Sequence, residues 1–301
     1  MPMPLAWIGL GALGAPMALN LRQAGYGLRV FNRNPSRCAA LVDAGAALAT
    51  TPADAAAGAE VLLVCVSDDA AVETVLLGAA DPAFRTDHTE SQTAAIAGLR
   101  PGSLVIDCST IAPRTSRRVA AALQERGIAY IDAPVTGGTE GAKAGTLSVL
   151  VGGAPEHLER ARPLLDVLGS SIHHFGPVGA GQEAKAVNQV LVAGSYAAVA
   201  EALHLAERLG LNRTQVVEAL KGGAAGSWAL THRSDRMITD ESPLGFKLAL
   251  HRKDLGIALA SAAEQQLELP VSQLVAAMED QLMQEGHGDL DVSVLARWFR
   301  S

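Results

Sequence analysis

The sequence predicts an α/β fold: a doubly wound, mostly parallel sheet over residues 1–178, followed by an all-helical domain over 179–301. Three observations predict it. Short β-like runs alternate with helical stretches through the first half, the signature of a parallel sheet with crossover helices. Those runs are almost continuously apolar, as strands covered on both faces must be. Beyond Gly176-Pro177-Val178-Gly179-Ala180-Gly181 the alternation stops and only helical periodicity remains.

Leu5–Ile8 is the first strand, and it runs into the turn Gly9-Leu10-Gly11-Ala12-Leu13-Gly14. Ala15–Leu21 follows as a helical pattern, with Pro16 early, where its missing N–H costs little. Further strands are expected at Leu28–Phe31, Val61–Val66, Leu104–Asp107, Ala129–Asp132, Leu147–Val151 and Ile172–Phe175. Helices are expected between them, notably at Arg114–Arg126 and Pro155–Leu168. In the second half a long Ala-rich pattern runs from Gln182 to Leu209 and is stopped by Gly210. Arg213–Lys221, Phe246–Gln265 and Val271–Glu285 are the remaining helical stretches. With no low-complexity linker, the long helix is expected to join the halves rigidly and leave a cleft, a common place for small-molecule sites.

At 301 residues and 49% apolar content, two sizeable cores are affordable, although only 4% of residues are aromatic. Ala, Leu and Val must therefore do most of the packing. A net charge of −7 argues against nucleic acid as the main ligand. Cys38, Cys65 and Cys108 show neither metal-ligand spacing nor a disulfide framework, which fits a reducing compartment. The N-terminal stretch lacks the basic region of a signal peptide. Apolar runs such as Val61–Val66 are too short to span a bilayer. The expectation is a soluble cytoplasmic protein without a metal, a nucleic-acid partner or a membrane partner.

The spacing Gly9-x-Gly11-x-x-Gly14 fits a dinucleotide-binding turn. Gly9 would permit the tight turn, Gly11 the close approach of a pyrophosphate, and Gly14 the packing of helix on sheet. The helix N-terminus would present N–H groups to the phosphates. An ordinary tight strand–helix turn is the competing reading. Where an NAD site usually places a carboxylate at the end of the second strand, this chain has Asn32, Arg33 and, further on, Arg37. A guanidinium suits a 2′-phosphate, so the expected cofactor is NADP(H) rather than NAD(H), unless these arginines are merely solvated.

Three other segments carry candidate chemistry. Thr136-Gly137-Gly138 can present a hydroxyl and backbone donors to a carboxylate, or be simply a flexible loop. Lys185, Asn188 and Gln189 stand at i, i+3 and i+4 on one helix face. On a largely apolar helix, Lys185 is expected to be partly buried, which would lower its pKa towards a proton-transfer role; a snorkelling surface lysine, the commoner fate of a lone Lys, is the competing reading. Phe246 and Lys253 are two turns apart on one face of the Phe246–Gln265 pattern, which could also be an amphipathic helix with a charged edge.

Together these four segments resemble the β-hydroxyacid dehydrogenase family, over essentially the whole chain. The resemblance implies a Rossmann-type domain followed by an all-helical domain like the C-terminal domain of 6-phosphogluconate dehydrogenase. It implies that Lys185 is the catalytic general acid/base. Thr136, Gly137 and Gly138 would bind the substrate carboxylate, while Asn188 and Gln189 would hold the substrate and orient Lys185. Phe246 and Asp254 would line the closed site. The cofactor would touch Gly9, Leu10, Gly11, Ala12, Leu13, Gly14, Asn32, Arg33 and Arg37. It would also touch Val66, Ser67, Ser109 and Thr110, with Lys253 near its nicotinamide end. Homodimers or homotetramers are implied in the same way. Thr136 departs from the family's usual Ser. Asn188-Gln189 departs from its usual Asn pair and matches the tartronate semialdehyde reductases.

The implied reaction interconverts a small semialdehyde acid and its 3-hydroxy acid. Tartronate semialdehyde (2-hydroxy-3-oxopropionate) is the first expectation, and methylmalonate semialdehyde/3-hydroxyisobutyrate the second. Glyoxylate or succinic semialdehyde comes third, with serine or threonate still open. A non-catalytic NADPH sensor is the reading from another class, and the Lys185 constellation weighs against it. Imine reduction, which shares the architecture, usually lacks this lysine.

Overall fold

The computed structural model describes residues 3–78, 93–241 and 243–300. Its strands are β1 (Leu5–Ile8), β2 (Leu28–Phe31), β3 (Ala47–Leu48), β4 (Val61–Val64), β5 (Leu104–Asp107), β6 (Ala129–Asp132), β7 (Val135–Thr136), β8 (Leu147–Gly152) and β9 (Gly169–Gly176). They form one sheet in the order β3-β2-β1-β4-β5-β6-β8-β7, with β9 on β8. Pairing is parallel from β3 through β6 and antiparallel where β8 meets β6 and β7; β9 runs parallel to β8. The strand order reverses between β1 and β4, so ligand chemistry is expected at the carboxyl ends of those strands.

The period of two sorts each strand into two cores. Leu5 and Trp7 of β1, Val61 and Leu63 of β4, and Leu104 and Ile106 of β5 enter one core. Ala6, Ile8, Leu62, Val64 and Val105 enter the other. Burial on both faces explains why these strands read as unbroken apolar runs. β3 and β7 escaped the sequence reading because each has only two residues, too few to show alternation.

The chain divides into two compact units, residues 1–185 and 186–301, with the division inside the helix Ala180–Arg208. That helix is long and apolar enough, by length and composition, to cross a membrane. Its Ala193, Tyr196, Ala200 and Leu203 are instead buried in the core of the second unit. Helices Arg213–Leu220, Leu248–Glu264 and Pro270–Gln284 match the expected stretches to within two residues. The short helices Trp228–His232 and Ser234–Thr239 and the 3₁₀ segment Val292–Arg300 were not expected.

One reading is corrected. The helix expected from Phe246 begins at Leu248, so Phe246 and Lys253 do not share a helix face. The Asp291 carboxylate takes the N–H groups of Gly245 and Phe246, each at 2.9 Å, and Val292 N donates to Phe246 O at 2.8 Å. These bonds hold the segment extended, and Lys247 keeps ψ at 137°.

Candidate active site

The glycine turn follows from packing against the neighbouring strand. Gly9 has φ +95°, and a Cβ there would lie 2.2 Å from Cys65 O. A Cβ on Gly14 would lie 2.1 Å from Gly9 O. The protein's own backbone therefore requires both glycines. Gly11 differs: a Cβ there would meet nothing within 4 Å. Its missing side chain serves the space in front of the turn, which fits a pyrophosphate at a helix N-terminus. Asn32 Oδ1 accepts the Leu10 N–H at 2.9 Å, and its Nδ2 donates to Asn34 O at 2.8 Å. Asn32 thus braces the turn from the end of β2. Leu10 turns its side chain into the core, Ala12 is exposed and Leu13 is half-buried. Arg33 and Arg37 are exposed, and neither forms an ion pair among the described residues.

The ends of β4 and β5 are tied together beside this turn. Ser109 Oγ accepts the Val66 N–H at 2.9 Å, and Ser109 N donates to Asp107 Oδ1 at 2.9 Å. Ser67 is exposed and Thr110 half-buried. Gln182 binds the same segment twice, donating to Ser109 O at 2.8 Å and accepting from Ile111 N at 3.2 Å.

Asp107 and Asp132 are register partners at the ends of β5 and β6, and both are fully buried. Burial pushes the Asp107 carboxyl up to about 6, against hydrogen bonds from Ser109 and Tyr130 that lower it. Burial likewise pushes Asp132 up to about 6, against N–H groups of Gly179 and Gln182. Those donors lie at 2.7 and 2.9 Å, so Asp132 caps the start of the Ala180–Arg208 helix from across the sheet edge. A Cβ on Gly152 or Gly181 would come within 2.6 and 2.8 Å of the Asp132 carboxylate. Glycine at both positions is what admits the cap.

The cap leads to Lys185, in the second turn of the same helix. Lys185 is only 7% exposed, and its Nζ donates to Val135 O at 2.9 Å. Val135 directly precedes Thr136-Gly137-Gly138, where Gly137 and Gly138 have φ +130° and +64°. The structure therefore brings the ammonium to within one residue of the predicted carboxylate loop. Thr136, Gly137 and Gly138 are half-buried.

Other predicted residues form a second network, in residues 186–301. Asn188 Nδ2 donates to Gln189 Oε1 at 2.7 Å, and Gln189 Nε2 donates to Asp254 Oδ2 at 3.0 Å. Lys253 Nζ meets Asp254 Oδ1 at 2.8 Å. Phe246 lies edge-on to His251, with ring centroids 5.5 Å apart. His251 Nδ1 and Glu279 Oε1 form a fully buried pair at 2.5 Å. The Ser227 hydroxyl accepts from Leu230 N at 3.0 Å, capping a short helix.

Sequence reasoning missed Asp107, Asp132, Gln182, His251 and Glu279 as site-building residues. One signal was available: each aspartate ends an otherwise apolar strand, where a carboxylate needs a reason to be buried. The partners of Asp132 lie 47 and 50 residues away, beyond any local pattern.

Residues 4–176 match the family described as the NAD-binding domain of 6-phosphogluconate dehydrogenase. Residues 179–299 match the NAD-binding family of NADP-dependent 3-hydroxyisobutyrate dehydrogenase. The chain is 39% identical to an NAD-dependent L-serine dehydrogenase of Pseudomonas aeruginosa, over 98% of this chain and 97% of that one. It is 37% identical to the 2-hydroxy-3-oxopropionate reductase of Escherichia coli, over 98% and 96% respectively. Among solved structures, Mycobacterium tuberculosis 3-hydroxyisobutyrate dehydrogenase with L-serine matches at TM-score 0.85 and 33% identity, covering 100% of both chains.

Proposed function

We propose, for a chain that belongs to the β-hydroxyacid (3-hydroxyisobutyrate) dehydrogenase family and is an NAD(P)-dependent 3-hydroxyacid dehydrogenase, that it is an NADP(H)-preferring 2-hydroxy-3-oxopropionate reductase. The observation that carries the assignment of roles is the Lys185 ammonium held on Val135 O, next to the Thr136 loop. The Asn188-Gln189 pair and the 37% identity to the Escherichia coli reductase support the substrate.

Bound NADP(H) supplies or accepts the hydride. This chain's residues do the rest. Thr136, Gly137 and Gly138 hold the substrate carboxylate and so fix the reacting carbon. Lys185 Nζ exchanges its bond to Val135 O for the substrate oxygen, gives it a proton during reduction and removes one during oxidation. Such help is worth about 10²–10⁴-fold in rate, and fixed orientation adds to it. Asn188 and Gln189 orient the substrate and the lysine, with Asp254 holding Gln189 in place. Phe246 and Asp254 line the site, and Lys253 serves the nicotinamide end. The glycine turn, Val66-Ser67 and Ser109-Thr110 cradle the dinucleotide.

Support for NADP(H) comes from the end of β2. Asn32 is neutral and already committed to Leu10, while Arg33 and Arg37 are exposed and unpaired among the described residues. The first relative described above is NAD-dependent and acts on L-serine, which favours a second reading, serine oxidation with NAD. Both substrates are short acids with a polar group at C2 and the reacting oxygen at C3. Comparing NADPH with NADH on 2-hydroxy-3-oxopropionate, and NADP with NAD on glycerate and L-serine, tests the choice. Higher kcat/KM for serine with NAD would replace the first reading by the second. A cytoplasmic location and a homodimer or homotetramer complete the proposal.

A further inference from the structure

We propose that Cys65 and Cys108 form a vicinal dithiol, a reversible modification site that a peroxide closes to an intrachain disulfide and that opposes dinucleotide binding. The coupling rests on the cofactor reading above; the dithiol itself rests on the sheet.

β4 and β5 pair in parallel, with Val64 opposite Asp107. The ladder continues one residue further, since Cys108 N donates to Val64 O at 2.8 Å. Cys65 and Cys108 are therefore the next neighbours across the two strands. Adjacent strands stand about 4.8 Å apart, inside the ~4.4–6.8 Å Cα separation a disulfide accepts. The side chains also share a face. Val61, Leu63, Leu104, Ile106 and Cys108 lie in one core with Cys65 packed against it, while Leu62, Val64 and Val105 point to the other.

Accessibility divides the labour. Cys65 is half-buried, whereas Cys108 is 3% exposed. Burial pushes the Cys108 thiol up, and the neighbouring Cys65 and Asp107 add to the rise. Cys65 is thus the sulfur that an oxidant meets first. It attacks one peroxide oxygen, the O–O bond breaks, and a sulfenic acid and water result. The Cys108 sulfur then attacks the sulfenic sulfur, the S–S bond forms and a second water leaves. In sum, two thiols and one hydrogen peroxide give one disulfide and two waters. A dithiol reductant reverses it by exchange. Cys38, buried at 1%, lies in the segment after β2 and on neither of these strands.

The position links this chemistry to the cofactor. Cys65 O lies against Gly9, as the clash of a Gly9 Cβ with it demonstrates. Val66 and Ser109, the residues that follow the two cysteines, are already hydrogen-bonded to each other. A bond drawn between the sulfurs moves the ends of β4 and β5, which pack against the glycine turn and carry Val66-Ser67 and Ser109-Thr110, both proposed to touch the dinucleotide. Linkage is reciprocal: if the disulfide weakens the dinucleotide, the dinucleotide must oppose the disulfide.

The test treats the full chain with hydrogen peroxide, with and without saturating NADPH, and follows intact mass, cross-linked peptides and NADPH affinity by fluorescence. The expected result is loss of two hydrogens, a Cys65–Cys108 peptide, recovery with dithiothreitol and slower oxidation with NADPH. The NADPH Kd should weaken about tenfold in the oxidised protein, within the usual range of coupling. Cys65→Ser and Cys108→Ser should bind NADPH as the reduced protein does and lose nothing on peroxide treatment. Cys108→Ala replaces the second if the buried serine prevents folding. Over-oxidised Cys65 without a cross-link, or a cross-link with unchanged Kd, overturns the proposal while leaving the cofactor reading intact. Reduced protein that fails to bind NADPH overturns the cofactor reading and, with it, the coupling.

Discussion

Lys185 is almost wholly buried, and its ammonium donates to the Val135 carbonyl. Burying an ammonium costs desolvation, which suits the proposed proton-transfer role. Lys185→Ala should bind NADPH as wild type and lose about 10²–10⁴-fold in kcat; stopped-flow binding together with steady-state rates checks both halves. Arg33 makes the second residue-scale prediction. Arg33→Ala should lower kcat/KM with NADPH about tenfold, the effect of roughly 1.4 kcal/mol, and leave NADH unchanged. Equal losses with both cofactors would remove Arg33 from 2′-phosphate recognition. The burial of Lys185 was legible because a lysine on an apolar helix breaks a local pattern. Asp132 was not, because its role lies in N–H groups far along the chain.

At the scale of elements, the glycine turn and the capped helix make separable predictions. Gly14→Ala should destabilise the fold, since the new Cβ meets Gly9 O. Gly11→Ala should melt as wild type but bind NADPH more weakly, since its Cβ meets no protein atom; thermal melts and titrations of the two variants distinguish these effects. The buried carboxylates predict a pH dependence. Asp107 and Asp132 are raised to about 6 in the folded state, whereas unfolded they titrate near 3.9. The folded state therefore binds the protons more tightly. Their contribution to stability is full below the unfolded value and is lost as pH rises through about 6. Each raised group accounts for roughly 3 kcal/mol across that window. Asp107→Asn should therefore lose less stability than wild type between pH of about 4 and 7, measured by denaturant midpoints. An unchanged slope would exclude Asp107 as its source. Long elements such as Pro155–Leu168 were readable to the residue from their periodicity and their N-terminal proline. Phe246 was misplaced because its extended conformation depends on Asp291, 45 residues away.

For the whole molecule, the end of the strand–helix alternation was legible in the sequence, whereas the strand order was not, because pairing between distant strands leaves no local pattern. The proposed self-association is less visible. Val187, Leu191, Leu205 and Leu209 are 58–70% exposed on the Ala180–Arg208 helix and its end. At about 100° per residue they fall in one stripe, and such a stripe is expected to be covered by another protein surface. If the proposed homo-oligomer buries it, Leu191→Glu with Leu205→Glu should shift the wild-type oligomer to monomer by light scattering. An unchanged mass would place the interface elsewhere. Lys185 beside the Thr136 loop is proposed to make this chain a reductase of small semialdehyde acids. Following NADPH consumption with 2-hydroxy-3-oxopropionate, in wild type and Lys185→Ala matched for bound NADPH, tests it most directly. Turnover is expected in the wild type and nearly none in the variant. Comparable turnover in both would contradict it.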